Sequence, residues 1–254
     1  AGTDRARIAV SPEELEREQG RRYVSFRKMV RMTTPSMVKS DLHTLVRKGP
    51  RALKDQWETR YETEENKYEK WLERHRLRQM PPLGQQPLIS VIVPVYRTPE
   101  AYLRDMIESV RDQGYENWEL CLADGSEDGG ETGRLVEKYA AGDSRIRYLV
   151  LEKNLGIAGN TNAALHMASG EWIGLLDHDD VLEASALYEA ARAMGENPSA
   201  DVIYTDEDKV TTDLRLHFDP HMKPDFNSDL LRSNNYICHF FLCRRCLALD
   251  AGGF

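Results

Sequence analysis

Hydrophobic and polar positions follow two different periods along this 254-residue chain, and the change falls at a proline-rich stretch. Before it the pattern is helical. Ser11-Pro12-Glu13-Glu14 supplies an N-cap, a proline at the first helical position and an acid placed for a capping box; Thr34-Pro35 supplies a second start. Residues 51–78 carry Leu53, Trp57, Tyr61, Tyr68, Trp71 and Leu72 at mostly helical spacing, with a thin patch at Glu64 and Glu65. The stretch PPLGQQP at 81–87 breaks any helix and reads as a linker. A helical N-terminal extension with its linker is therefore expected at 1–86, and a second domain at 87–254.

Beyond the linker, short apolar runs alternate with helical segments, the signature of a parallel α/β sheet flanked by helices. Residues 88–95 read as a Val- and Ile-rich strand, followed by a helix from Thr98-Pro99 through Val110. Residues 118–123 form a second strand, leading to a Gly-rich loop at 124–130 and a helix to about Ala141. Residues 146–151 form a third, before a helix over 159–168. Trp172, Ile173, Leu175 and Leu176 form a fourth, apolar without a break because both faces of a parallel sheet are covered. A helix over 182–194 follows. Right-handed crossovers put the carboxyl ends of these strands along one edge, so functional residues should gather there: Tyr96, Asp124, Asn154 and the acids at 177–180.

The segment EWIGLLDHDDVL places Asp177, Asp179 and Asp180 at the end of the fourth strand. Carboxylates this close repel unless a cation or hydrogen-bond donors offset them, and the cluster suits a hard divalent cation carrying substrate phosphates. Asp180 also fits an N-cap for the helix after it. Pro94 and Tyr96 end the first strand with an aromatic suited to a nucleobase, and Asp124 is placed to accept from a base N–H.

These residues together resemble the family 2 glycosyltransferases, with a Rossmann-like GT-A fold. SVIVPVY, LADGSED, NLGIAGNTNAAL, ASGEW and LLDHDDVL occur in the family's order, and DVIYTDEDKV with HMKPDFNSDLLRSNNYICHFFLCRR resembles a bacterial subgroup that builds O-antigen and other surface polysaccharides. The resemblance implies a nucleotide-diphosphate-sugar donor held by Pro94, Tyr96, Asp124, Asn162 and Asp177. It implies Mn²⁺ or Mg²⁺ on Asp179, supported by Asp180, and direct displacement at the anomeric carbon with inversion onto a glycan or lipid-linked acceptor. Asp206, Glu207, Asp208 and His239 are expected on the acceptor side. Three departures stand out: Ala123 replaces the first of two acids before Gly-Ser, Thr161 stands where relatives often carry Arg, and the chain stops at Gly252-Gly253-Phe254. The catalytic base is thus expected beyond Phe254, and with no initiator Met the chain reads as a fragment at both ends.

Composition narrows the alternatives. The longest apolar run, 87–96, is about half what a bilayer crossing needs. Four cysteines are too few for a disulfide framework and suit a reducing, cytoplasmic compartment; Cys243-Arg-Arg-Cys246 near His239 lacks a second ligand pair and reads as core rather than as zinc or redox chemistry. The net charge is −8, yet residues 21–54 contain ten Lys/Arg and one acid, a balance of +9 that leaves −17 on the remainder. With Tyr23, Phe26, Met29, Val30 and Met32 interleaved, this stretch fits an anionic membrane surface, such as the inner face of the plasma membrane, and not nucleic acid. Two other classes fit less of the pattern: a donor-binding scaffold without turnover, and an aspartate-nucleophile phosphatase, which usually places Asp-x-Asp-x-Val on its first strand.

Overall fold

The computed structural model describes residue 24 and residues 26–77, 79–128 and 130–254. The helix start at Ser11-Pro12 and the beginning of the basic stretch lie outside the described residues. Three helices lead the described chain, α1 (Phe26–Met32), α2 (Pro35–Tyr61) and α3 (Glu64–His75). Thr34 starts α2 as its sequence predicts, its hydroxyl accepting from the Met37 N–H. The α2 span consists of two arms: Gly49 takes φ 84°, a left-handed value that favours glycine, and Pro50 follows it. The arms close on buried Asp41, which accepts from Trp57 Nε1 (2.8 Å), Gln56 Nε2 (3.1 Å) and Arg60 Nη1 (2.9 Å). The helix expected over 51–78 is interrupted at 62–63, because Thr63 caps α3 by accepting from the Asn66 N–H.

Next come β1 (Ile89–Val95), α4 (Glu100–Arg111), β2 (Trp118–Asp124), α5 (Glu131–Gly142), β3 (Ile146–Val150), α6 (Gly156–Met167), β4 (Trp172–Leu175), α7 (Ala186–Glu196) and β5 (Val202–Tyr204). The hairpin β6 (Glu207–Val210) and β7 (His217–His221) follows, then α8 (Ser228–Ser233), β8 (Phe241–Arg244) and α9 (Arg245–Asp250). Six strands form one sheet in the order β3-β2-β1-β4-β8-β5, parallel except that β8 runs against both β4 and β5.

The chain divides into two compact units. One comprises the described residues through Arg76 together with Glu207–Met222; the other comprises Leu77–Asp206 and Lys223–Phe254. In the first unit Tyr68 donates to Asp208 (2.8 Å) and the His217 N–H donates to Glu69 (2.9 Å), tying the hairpin to α3. Residues 81–87 lie within the second unit. Met80 and Leu83 pack on its core there, and the Tyr188 and Tyr115 hydroxyls donate to the Pro81 and Pro87 carbonyls.

Both faces of the sheet's central strands β1, β2 and β4 are covered, which explains their largely apolar sequences, whereas the edge strand β3 is largely exposed. Val91, Val93, Leu120 and Leu122 pack against α4 and α7 on one side, while Ile92, Cys121, Ile173 and Cys243 pack against α6 and Ala248 on the other. Cys243 is thus a core residue, with Cys246 exposed. At the amino-terminal end of the strands, buried Glu119 accepts from Ser90 (2.6 Å), Ser169 and Arg147 (3.1 Å), fixing the turn that enters β4. Burial alone would raise the pKa of Glu119; those hydrogen bonds outweigh it and hold the carboxyl below its ordinary value.

Two helix starts differ from expectation. Helix α6 begins at Gly156 rather than 159. Helix α7 begins at Ala186 rather than 182, since Glu183 accepts from the Ser185 N–H and hydroxyl and holds a turn ahead of it. Asp180 is therefore not a helix cap.

Candidate active site

Sheet register assembles the acidic cluster. Because β8 is antiparallel to β4 and Leu175 stands opposite Phe241, the residues two steps further, Asp177 and His239, meet at the carboxyl edge. His239 Nε2 lies 3.6 Å from Asp177 Oδ2 and 3.9 Å from Asp180 Oδ2. Ligand atoms of Asp177, Asp180 and His239 all lie within 4.8 Å of one another. The turn between the acids is closed by the Asp180 N–H donating to the Asp177 carbonyl at 3.3 Å. Asp179 is on the same turn but outside this set; its carboxylate stands 3.7 Å from His178 Nδ1. That ring nitrogen is buried with no hydrogen-bond partner. Two carboxylates and an imidazole on one small arc form a donor set that fits a divalent cation such as Mn²⁺.

The same register argument brings in Asp206. Tyr204 also stands opposite Phe241, so the chain leaving β5 runs beside the chain entering β8, and the Thr205 N–H donates to the Phe240 carbonyl at 3.1 Å. Asp206 accepts from the Lys223 N–H (2.7 Å), and the Lys223 ammonium donates to the carbonyls of Ile237 (2.5 Å) and His239. Lys223 thus fixes the backbone that presents His239. Sequence reasoning missed it, since a single lysine before a proline carries no periodic signal. Glu207 and Asp208 belong to the first unit, where Glu207 pairs with His221 (3.0 Å) and Asp208 with His217 (2.9 Å). The hydrogen bond to Asp208 raises the pKa of His217 against the opposing effect of burial.

On the other side of β4, the ends of β1 and β2 form a second cluster. Pro94 is partly buried in β1, and Tyr96 is 40% exposed with the Arg97 guanidinium 5.3 Å from its ring centroid. Arg97 is held by its own N–H donating to the Ser126 hydroxyl at 2.8 Å. Asp124 is buried; it accepts from the Ser126 N–H (2.8 Å) and from the Tyr148 hydroxyl. Burial, then the hydrogen bond to Asp124 and that group's charge, pushes the Tyr148 phenol far upward, so it remains a donor. Gly125 leaves room for Asn154 and Asn160: a Cβ there would lie 2.8 Å from Asn160 Nδ2. The Asn162 side chain is engaged by the last residue, accepting from the Phe254 N–H (2.9 Å) and donating to its carbonyl (3.1 Å). Among the described residues its side-chain hydrogen bonds run to the segment after α9.

A family model described as "Glycosyl transferase family 2" matches residues 90–249. The chain belongs to glycosyltransferase family 2. Among curated relatives, an uncharacterised protein y4gI of Sinorhizobium fredii is 45% identical over 172 residues, covering 68% of this chain and 19% of that protein. The O-antigen biosynthesis protein RfbC of Myxococcus xanthus is 37% identical over 172 residues, covering 67% of this chain and 13% of its own length. The chain therefore spans less than a fifth of either relative. Among solved structures, the mannosyltransferase PcManGT of Pyrobaculum calidifontis, in complex with GDP-Man and Mn²⁺, matches with a TM-score of 0.51 at 19% identity, covering 74% of this chain and 54% of that one. This likeness and the sheet order bear out the GT-A fold that the motifs imply.

Proposed function

We propose that this chain carries the donor site of a metal-dependent, inverting glycosyltransferase that moves a sugar from a nucleoside-diphosphate donor to a glycan or lipid-linked acceptor in surface-polysaccharide synthesis. The observation that carries the reading is the convergence of Asp177, Asp180 and His239 at the sheet edge next to Asp124 and Tyr96. Tyr96 and Asp124 hold the nucleobase, with Arg97 keeping the Tyr96 ring in place, and Asp177 binds near the ribose. Asp180 and His239, with Asp177 at the ribose side of the same set, hold a divalent cation, Mn²⁺ or Mg²⁺. When bound, that cation neutralises the departing nucleoside diphosphate. Asp206 and the His239 side of the turn face the acceptor; Lys223 keeps both in register. The basic stretch at 21–54 supports a reaction carried out at the inner face of the plasma membrane.

Thermal melting with a panel of sugar nucleotides, with and without Mn²⁺, tests the reading. The expected result is stabilisation by a nucleoside-diphosphate sugar that requires Mn²⁺ and is lost in Asp180→Ala. Stabilisation lost only in Asp179→Ala would move the cation to that carboxylate, and no stabilisation by any donor would defeat the proposal.

A further inference from the structure

The first unit carries an apolar groove unrelated to the donor site. It has a volume of about 330 Å³ and is lined by Met29 and Val30 of α1, by Val38, Leu42 and Leu45 of the first arm of α2, and by Trp57 of the second arm. Its origin is visible in the hairpin. The interior between the arms is occupied by polar contacts, Asp41 with Gln56, Trp57 and Arg60, and Thr44 donating to Gln56 (2.5 Å), so the leucines and valines are left on the outside. Seven of the 23 exposed large hydrophobic side chains among the described residues fall within residues 30–57, including Val46 at 82%, Val30 at 58% and Leu42 at 57%. Clustered apolar exposure of this kind marks an interaction surface.

Charge identifies what covers it. Lys28, Arg31, Lys39, Arg47, Lys48 and Arg51 are all exposed on the same helices. Of the three acids on these helices, Asp41 lines the groove but is buried and bonded to Arg60 (2.8 Å), Glu58 lies 3.6 Å from Lys54, and Asp55 is exposed; against nine Lys/Arg over the same helices they leave the field around the groove positive. An apolar groove rimmed by long basic side chains matches an anionic headgroup layer over acyl chains, with the lysine and arginine stems lying along the apolar surface and their charges reaching the phosphates.

We infer that this groove is a docking site for an anionic phospholipid bilayer, with Leu42, Leu45 and Val30 entering the acyl boundary and the surrounding Arg and Lys side chains engaging lipid phosphates. The inference rests on the membrane-side part of the proposed function and supplies its contact surface. It takes the helical hairpin, and not only the basic charge, as the binding element.

Vesicle co-sedimentation tests it, using phosphatidylcholine vesicles with and without 30% phosphatidylglycerol (about one lipid in three anionic, to give a substantial surface potential). Wild-type chain should partition onto the anionic vesicles, bind phosphatidylcholine alone at least roughly tenfold more weakly, and detach in high salt. Each basic side chain near an anionic surface contributes roughly fivefold, so reversing two in Arg47→Glu/Lys48→Glu should weaken partition by roughly 25-fold or more. Leu42→Gln/Leu45→Gln should weaken it by roughly tenfold while keeping the full basic charge. Mn²⁺- and sugar-nucleotide-dependent melting should be unchanged in both variants; this separates failure of the membrane contact from failure of the donor site. Absence of wild-type binding to anionic vesicles overturns the inference, as does binding that the leucine substitutions leave intact. Loss of a dimer on light scattering in Leu42→Gln/Leu45→Gln, with no lipid binding, would assign the groove to a second copy of the chain instead.

Discussion

Replacing Asp180 by Asn separates a cation-binding carboxylate from a turn-forming one, because the two roles predict opposite changes. Ligand atoms of Asp177 and Asp180 lie within 4.8 Å. Two unit charges at that separation repel by about 0.9 kcal/mol in bulk water and about 3.5 kcal/mol at an effective dielectric of about 20. The side chains are 47% and 45% exposed, which favours the lower figure, about 1 kcal/mol. In a domain of this size that corresponds to about 2–4 °C in melting temperature. With EDTA present, Asp180→Asn should therefore melt higher than wild type, since Asn keeps the polar contacts of the turn but not the charge. With Mn²⁺ at about a hundred times its dissociation constant, wild type should gain about 2.7 kcal/mol, or about 5–11 °C, and the variant much less. Differential scanning fluorimetry in paired EDTA and Mn²⁺ series reads both effects. A variant that melts at or below wild type in EDTA and keeps the full Mn²⁺ shift would refute the reasoning and leave Asp180 as a turn residue.

Three further outcomes follow from contacts around the site and in the hairpin unit. Tyr148→Phe removes a donor from buried Asp124 and should cost about 1.5–3 kcal/mol, or about 3–12 °C of melting temperature, together with weaker nucleotide binding by calorimetry. An unchanged melt would show that Asp124 does not depend on that hydroxyl. Lys223→Met frees the carbonyls of Ile237 and His239 and should weaken Mn²⁺ affinity by about 10–100-fold, measured by titration, as for loss of a group that orients a ligand; unchanged affinity would separate Lys223 from the site. His217 has its folded pKa raised above 6.5, so its pairing with Asp208 contributes fully below that value and is lost as pH rises through the folded pKa. The stability gap between wild type and His217→Asn should accordingly be larger at pH 5.5 than at pH 8.5, and an equal gap at both would remove the ion pair as its source.

How much of this was legible before the structure depends on the range of the interaction involved. The four parallel strands were readable as short, largely apolar runs between helical segments, most plainly in β1 and β4, while the edge strand β3 is largely exposed; a parallel sheet needs no further information to align carboxyl ends. Tyr96, Asp124 and Asp177 could be placed on one edge by that rule alone. His239 could be nominated from its segment, but its partner could not. Its meeting with Asp177 depends on β8 entering the sheet antiparallel beside β4 in a register that pairs Leu175 with Phe241, and no local pattern in FFLCRR specifies direction or neighbour. The helix limits failed for a related reason. Glu183 and Ser185 close a turn ahead of α7, and Thr63 interrupts the α2–α3 stretch, each through a side-chain bond worth about as much as the helical propensity it opposes. The hairpin at Gly49-Pro50 shows the same limit at larger scale. Gly49 and Pro50 carry the break, a turn the helical pattern did not announce, and the contacts that hold the two arms folded back run across it, Asp41 to Trp57 and Arg60 and Gln56 to Ser40 and Thr44. The apolar groove thus depends on side-chain contacts between distant stretches of the helices, which is why the amphipathic pattern at 21–54 indicated a surface while giving no indication of its shape.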